Sequence, residues 1–144
     1  QGAVLDKNGK VLTRREGETN QVRLTSEDLE ALHSNEDSVW VHTHPTNNSF
    51  SDQDLAVGIG YGIENCEVAT DKYIYKIKFN NVRGQSIAKQ LLKDYESLTN
   101  ELISKWVDKT FEGMSRENAY AGLTHEANQN ISAKYGLTYS MENR

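Results

Sequence analysis

Apolar and polar side chains alternate along the stretch 73–79, and this alternation is typical of a β-strand. One face carries an aromatic or apolar side chain at every second position, while the other carries two lysines and an isoleucine. An extended backbone places successive side chains on opposite faces. The stretch is therefore predicted to be a half-buried edge or outer strand, preceded by a strand at 67–70 and a turn at Asp71-Lys72.

The N-terminal part of the chain is predicted to contain short strands and a short helix. Strands at 3–6 and 10–13 flank the dipeptide Asn8-Gly9, which is a strong signal for a β-hairpin. A brief extended segment at 22–24 precedes a helix at 27–33. The first turn of that helix is acidic, as the helix dipole favours.

The C-terminal part of the chain has the spacing of two long helices. Apolar residues step by four and three positions along the first helix, and they form the stripe Ile87, Leu91, Tyr95, Leu98, Leu102 and Trp106. Gly113 is predicted to end this helix. A second helix is predicted from Arg116 to about Tyr135, capped by Ser115 and ended by Gly136. Residues 137–139 are expected to return as a short strand or to pack in an extended form.

Two histidines lie at the end of a further predicted strand. The residues Val39-Trp40-Val41 are β-branched or aromatic, which are the types that fit a pleated sheet. His42 and His44 are two residues apart, so an extended backbone points both imidazoles to the same face. Pro45 is predicted to end the strand because it cannot donate a hydrogen bond to a neighbouring strand.

A helix is predicted to begin shortly after this strand. The loop 46–50 is polar, Ser51 is a preferred N-cap residue, and Asp54 lies in the first turn of a helix that runs from Asp52 to about Gly62. The strand end and the helix start together supply two imidazole nitrogens and one carboxylate. Zinc accepts such a ligand set, with a fourth position left for water.

The order of these residues resembles the signature of the JAMM (MPN+) zinc metallopeptidases, His-x-His-Pro followed by a short loop and Ser-x-x-Asp. The resemblance implies that His42, His44 and Asp54 bind Zn²⁺ and that Ser51 is a catalytic residue that assists the developing oxyanion. It also implies metal-assisted hydrolysis of a peptide or isopeptide bond.

The same resemblance implies an α/β fold, with a mixed sheet flanked by helices, one on each side, in the JAMM/MPN (cytidine-deaminase-like) architecture with a C-terminal helical extension. Residues 1–80 would form the JAMM-like metal-binding core. Residues 81–144 would supply helices that complete or flank this core.

The general base of the family is a Glu on an earlier strand, and that position falls at Gln1 or just upstream of it. An amide cannot accept a proton as a carboxylate can. Three explanations remain open: the Glu precedes this chain, Gln replaces it, or the domain binds zinc without turnover. Glu16, Glu18 and Glu36 lie in predicted loops and are poorer candidates, so residues 1–144 alone are expected to be a weak or inactive peptidase.

Three further stretches resemble the C-terminal domains of phage minor head (head morphogenesis) proteins and of some toxin-like phage-borne proteins. These stretches are Val-Leu-Asp-x-x-Gly at 4–9, Lys-Tyr-x-Tyr at 72–75 and Ala-Lys-Tyr-Gly-Leu-Thr-Tyr at 133–139. The resemblance implies a fragment of a longer chain, a peptide or protein substrate, phage head proteins as possible partners, and a location in the host cytosol (cytoplasmic) or the virion. The alternative function is a catalytically silent interaction domain of a phage head protein.

Composition and charge narrow the remaining classes of function. The net charge of −5 argues against a general nucleic-acid binder, and no apolar run approaches the length of a membrane span. Cys66 is the single cysteine of the chain, which excludes an intrachain disulfide and the Pro-Cys-x-x-Cys pair of a zinc deaminase. A zinc-dependent nuclease would need a more basic surface than a pI near 5.4 indicates.

Overall fold

The computed structural model describes residues 1–16 and 24–144. Within these residues the strands are β1 (Gly2–Leu5), β2 (Val11–Arg15), β3 (Val39–Thr43), β4 (Asn65–Ala69), β5 (Tyr73–Lys78) and β6 (Thr138–Asn143). The helices are α1 (Ser26–Ser34), α2 (Asp52–Gly60), α3 (Gln85–Phe111) and α4 (Arg116–Tyr135). The extended segment predicted at 22–24 lies mostly outside the described residues, and so does Glu18.

The strands form a mixed sheet in the order β2-β1-β3-β4-β5-β6. β3 and β4 run parallel, whereas the other neighbouring strands run antiparallel. A parallel pair requires a crossover connection, and α2 provides it between β3 and β4. The α/β class and the mixed sheet predicted from the sequence are confirmed.

Most local predictions place the elements correctly. β1 and β2 form the predicted hairpin, and Gly9 in its turn has a φ of 85°, which glycine adopts without a Cβ clash. α3 contains the whole predicted apolar stripe. α4 has the predicted bounds, with Ser115 accepting a hydrogen bond from the backbone of Asn118 as its N-cap and Gly136 in the left-handed conformation at its end.

The prediction that 73–79 forms an edge or outer strand is wrong. β6 pairs with β5 along its whole length, from Tyr73 opposite Asn143 to Lys78 opposite Thr138, so β5 is an inner strand. The returning C-terminal strand is also longer than the predicted 137–139. Its side chains are mostly exposed, so backbone hydrogen bonds rather than apolar alternation define it.

The helices that contact the sheet do so on a single face. Three pairs of side chains link a helix to this face: Asp28 of α1 with Thr13, Asp54 of α2 with His42, and His125 of α4 with Tyr75. The strand register places the sheet residues of these pairs on one face. Thr13 lies opposite Val4, which lies opposite Trp40, and His42 lies opposite Val68, which lies opposite Tyr75. Trp40 and His42 are two residues apart on β3 and therefore share a face.

The expected helix on each side of the sheet is therefore wrong for the described residues. The other face carries Ala3, Val41, Ala69 and Ile74, which are all partly exposed. β3 and β4 accordingly bury every second side chain against the helices and leave the alternate positions partly exposed.

One buried cluster extends from the sheet through α2 into α3 and α4. It contains Val4, Trp40, Leu55, Ile59, Val68, Tyr75, Ile77, Phe79, Leu91, Tyr95, Ala127 and Ile131, among others. Both predicted segments, 1–80 and 81–144, thus contribute to the same core. Within the described ranges, none of the helices combines the length and the apolar character needed to cross a membrane.

Candidate metal centre

The end of β3 brings two imidazoles to the helix-covered face of the sheet. His42 is 4% exposed, and its ring stacks on that of Trp40 at a centroid distance of 4.6 Å. His44 lies just beyond the strand, where its backbone N–H still donates to the carbonyl of Ala69 on β4 (3.1 Å). The alternation predicted from the sequence thus places both rings on one side, 5.0 Å apart between centroids.

The start of α2 supplies the carboxylate. Ser51 is the N-cap, as predicted, and its Oγ accepts a hydrogen bond from the backbone N–H of Asp54 (3.1 Å). The Asp54 carboxylate in turn accepts one from the backbone N–H of Ser51 (2.9 Å). This reciprocal capping box fixes the Asp54 side chain at the helix start.

The three predicted ligands converge in space. The Nε2 atom of His42 lies 3.3 Å from Asp54 Oδ1, and the Nε2 atom of His44 lies 3.4 Å from Asp54 Oδ2. One donor atom from each residue lies within 4.8 Å of the other two, and no fourth His, Cys, Asp or Glu of residues 1–16 and 24–144 joins them. Ser51 borders this group through its bonds to Asp54.

A buried nitrogen in this group lacks a partner. The Nε2 atom of His42 is inaccessible to solvent and has no hydrogen-bond partner, although Asp54 Oδ1 lies 3.3 Å away. An unsatisfied buried polar atom costs about 1–3 kcal/mol. A cation between the three side chains would satisfy this nitrogen, so the donor set fits a metal ion.

The outer nitrogen of each imidazole sets its orientation. The Nδ1 atom of His44 lies 3.0 Å from the carbonyl oxygen of Asn48. A carbonyl only accepts, so Nδ1–H donates and the Nε2 lone pair faces Asp54 when the ring is neutral. The Nδ1 atom of His42 lies 4.0 Å from the thiol of Cys66. A backbone carbonyl, as at His44, is a usual outer partner of a metal-binding histidine.

The charges of the group favour a cation. Burial acts to raise the pKa of Asp54, but its contacts with His42 and His44 outweigh burial and hold that pKa well below the usual range. Burial likewise acts to lower the pKa of His44, yet the Asp54 carboxylate raises it above its ordinary value. Burial raises the pKa of the Cys66 thiol, which therefore stays protonated and is a poor ligand.

Three of the four residues considered as a general base, Gln1, Glu16 and Glu36, do not join this group, and Glu18 lies outside the described residues. The backbone of Gln1 pairs with Thr43, while Gly2 lies opposite His42, so the side chain of Gln1 points to the other face of the sheet. Glu16 is exposed at the end of β2. Glu36 lines an open cleft of about 710 Å³ at the far end of α2, beside Gly60 and away from Asp54.

The loop between His44 and Ser51 is more buried than its polar sequence suggests. Asn47, Ser49 and Phe50 are buried, and they bond to side chains of β5, α4 and β6. The sequence analysis missed Asn128, which is fully buried on α4 and reaches this loop. The available signal was a polar residue in the interior of a long helix, next to the apolar position Ala127.

No protein-family model, curated protein or solved structure matches this chain.

Proposed function

We propose that this chain binds Zn²⁺ through His42, His44 and Asp54 and forms the metal-binding part of a JAMM-type peptide or isopeptide hydrolase. The observation that carries the proposal is the buried Nε2 atom of His42, which lacks a hydrogen-bond partner beside the converging donors of His44 and Asp54. Two neutral imidazoles and a carboxylate are a common protein ligand set for catalytic zinc. When bound, zinc would supply Lewis acidity toward the scissile carbonyl and the attacking water.

Ser51 has the geometry of an oxyanion helper. Its Oγ accepts a hydrogen bond from the N–H of Asp54, so its own hydroxyl proton is free to be donated. The residue is exposed, so a substrate carbonyl can approach it. We propose that Ser51 donates to the oxygen of that carbonyl as negative charge develops there.

Within residues 1–16 and 24–144, no Glu and no further Asp joins the metal group, so these residues provide no general base for the proposed reaction beside the metal. The register of β1 and β3 indicates where a base would fit. Gly2 lies opposite His42, so a residue added before Gln1 in continuation of β1 would lie opposite His44 and share its face. We propose that a Glu at this position completes the site for proton transfer, which a positioned carboxylate typically accelerates about 10²–10⁴-fold.

The test compares residues 1–144 with the same chain extended by a single Glu or a single Gln before Gln1. All three proteins are expected to bind about one zinc per chain, and only the Glu-extended protein is expected to hydrolyse peptide or isopeptide substrates well above background. Replacement of Ser51 by Ala in the Glu-extended protein should reduce turnover and leave zinc bound. Equal hydrolysis by the Glu- and Gln-extended proteins would contradict the proposed position of the base.

A second candidate function is a catalytically silent interaction domain that retains the metal. The observation that favours it is that no Glu or Asp other than Asp54 joins the metal group in the described ranges. Under this proposal the partner is a phage head protein and zinc stabilises the β3–α2 junction. This function would be supported over the first if zinc raised the melting temperature of the Glu-extended protein and that protein hydrolysed no substrate.

A further inference from the structure

We propose that Asn128 of α4 is a positioning residue for the metal site. It holds the loop between His44 and Ser51 in the conformation that orients both residues. This inference rests on the proposed function, because it concerns the same metal site. It adds that a residue of the C-terminal helices, 74 positions after Asp54, helps to set the affinity of that site for metal.

Asn128 binds two consecutive residues of the loop. Its side chain is 0% exposed, and its amide NH₂ donates one hydrogen bond to Ser49 Oγ (2.9 Å) and one to the carbonyl of Phe50 (2.9 Å). One turn earlier on α4, Thr124 Oγ1 accepts a hydrogen bond from the backbone N–H of Ser49 (3.1 Å). Two side chains of one helix thus fix the loop through three bonds.

The residues held by Asn128 adjoin the groups that orient the metal site. Asn48 directly precedes Ser49, and its carbonyl accepts the hydrogen bond from His44 Nδ1 (3.0 Å). Phe50 directly precedes Ser51, which caps α2 and fixes the Asp54 carboxylate. A shift of this loop would therefore turn the ring of His44 and move the first turn of α2 together.

The amide of Asn128 supplies two donors as a neutral side chain, which suits a fully buried position. Its two N–H groups meet two acceptors, and a leucine of similar volume would leave the Phe50 carbonyl with Tyr95 as its remaining donor (3.3 Å). Ser49 would keep its contact with the hydroxyl of Tyr139 (2.7 Å). In N128L the loop would thus lose the two hydrogen bonds from Asn128 and keep those with Tyr95 and Tyr139.

α4 has apolar contacts with the core beside the hydrogen bonds of Asn128. Ala127 and Ile131 are 0% and 1% exposed and pack in the main apolar cluster. Stability and positioning can therefore be separated by substitution. Ile131→Val removes buried apolar volume from the same helix, and it leaves the hydrogen bonds between this helix and the loop intact. Asn130→Leu makes the same chemical change as Asn128→Leu at an exposed position of that helix.

The experiment measures two quantities for the wild type, N128L, N130L and I131V. The first is the zinc dissociation constant at fixed pH, with Co²⁺ spectra to report the ligand geometry. The second is the NMR signal of the His44 Nδ1–H bonded to the Asn48 carbonyl, recorded in metal-free protein. Loss of an outer partner of a metal ligand typically weakens metal binding about 10–100-fold.

We expect N128L to weaken zinc binding by about tenfold, the lower end of that range, because Asn128 acts on His44 through the loop. It should also alter the Co²⁺ spectrum and weaken or shift the His44 Nδ1–H signal. N130L and I131V should resemble the wild type in both measurements, although I131V should melt at a lower temperature. Unchanged zinc binding and an unchanged His44 signal in folded N128L would overturn the proposal. It would also be overturned if I131V weakened zinc binding as much as N128L does.

Failure of the wild type to take up zinc and failure of N128L to fold lead to different conclusions. If the wild type takes up no zinc, the proposed function fails, while the His44 signal in metal-free protein still decides whether Asn128 positions the loop. If N128L does not fold, Asn128→Ala serves instead, because it removes both donors and introduces no larger side chain. A wild-type His44 signal and zinc affinity in N128A would then overturn the proposal.

Discussion

Gly58 allows α2 to approach the end of β5 closely enough to place Asp54 beside the histidines. A Cβ atom added at Gly58 would lie 2.2 Å from Cζ and 2.5 Å from Cε2 of Phe79. Ordinary contacts begin at 3.4 Å, so the shortfall is 3.4 − 2.2 = 1.2 Å. Phe79 is 1% exposed and cannot turn into solvent, so Gly58→Ala must displace the helix or the ring.

The expected magnitude follows from two opposing effects. Overpacking of a filled core costs about 1–3 kcal/mol, and the upper end applies to a clash of this depth with a buried ring. Alanine gains about 1 kcal/mol over glycine in a helix interior. The free energy of unfolding of G58A should therefore fall by about 2 kcal/mol, which corresponds to a melting temperature lower by roughly 4–8 °C in a chain of this size.

The assay is urea unfolding and thermal melting of G58A beside Gly60→Ala. The control is matched, because the three atoms nearest to a Cβ at Gly60 all belong to the flexible side chain of Gln85, the closest at 3.0 Å. G60A should be as stable as the wild type or slightly more stable. The double variant G58A/F79L should lose less than the sum of its single variants, since leucine lacks the clashing ring edge. Equal stability of G58A and G60A would refute the proposed close approach of α2 to Phe79.

Three further predictions test the cap, the core and the pH dependence. Ser51→Ala should lower the free energy of unfolding by about 1 kcal/mol through loss of the N-cap, and an unchanged urea midpoint would contradict the cap. Leu91→Ala should lower the free energy of unfolding by about 2–5 kcal/mol because Leu91 is 0% exposed. Leu98→Ala should lower it by less, because Leu98 is only partly buried. The reverse order would contradict the packing of α3. Burial acts to raise the pKa of Asp28, but hydrogen bonds from Thr13 and Thr25 and the contact with Arg15 lower it overall. The stability that Asp28 contributes is thus present above its unfolded pKa of about 3.9 and is lost as the pH falls through the lower folded value. Asp28→Asn should therefore reduce the loss of stability on acidification, measured by urea unfolding between pH 2 and about 5. An unchanged pH dependence of stability would contradict the assignment.

Local signals in the sequence predicted much of the fold. The Asn8-Gly9 turn, the cap at Ser51 and the stop at Gly136 each act within a few residues, and the structure has all three. The convergence of His42, His44 and Asp54 was predictable for the same reason. A strand end and the next helix start are joined by one short loop, so few arrangements are possible.

Long-range contacts were not predictable in the same way. β6 is defined by backbone pairing with β5, which leaves no apolar pattern in its mostly exposed side chains. The polar composition of the loop 46–50 gave no sign that it is buried, because polar residues are mostly exposed. Its burial depends on partners such as Asn128, which lies 79 residues after Ser49. The choice of one sheet face by the helices likewise depends on the whole chain.

The most direct test of the metal centre is zinc binding by the purified chain, measured by elemental analysis and calorimetric titration. The wild type should take up about one zinc per chain, as expected for a site with three protein ligands. His42→Ala and Asp54→Asn should lose this uptake while remaining folded, and His33→Ala, which changes a histidine outside the metal group, should keep it. The assignment of the metal centre would be contradicted if the wild type took up no zinc, or if H42A and D54N took up as much zinc as the wild type.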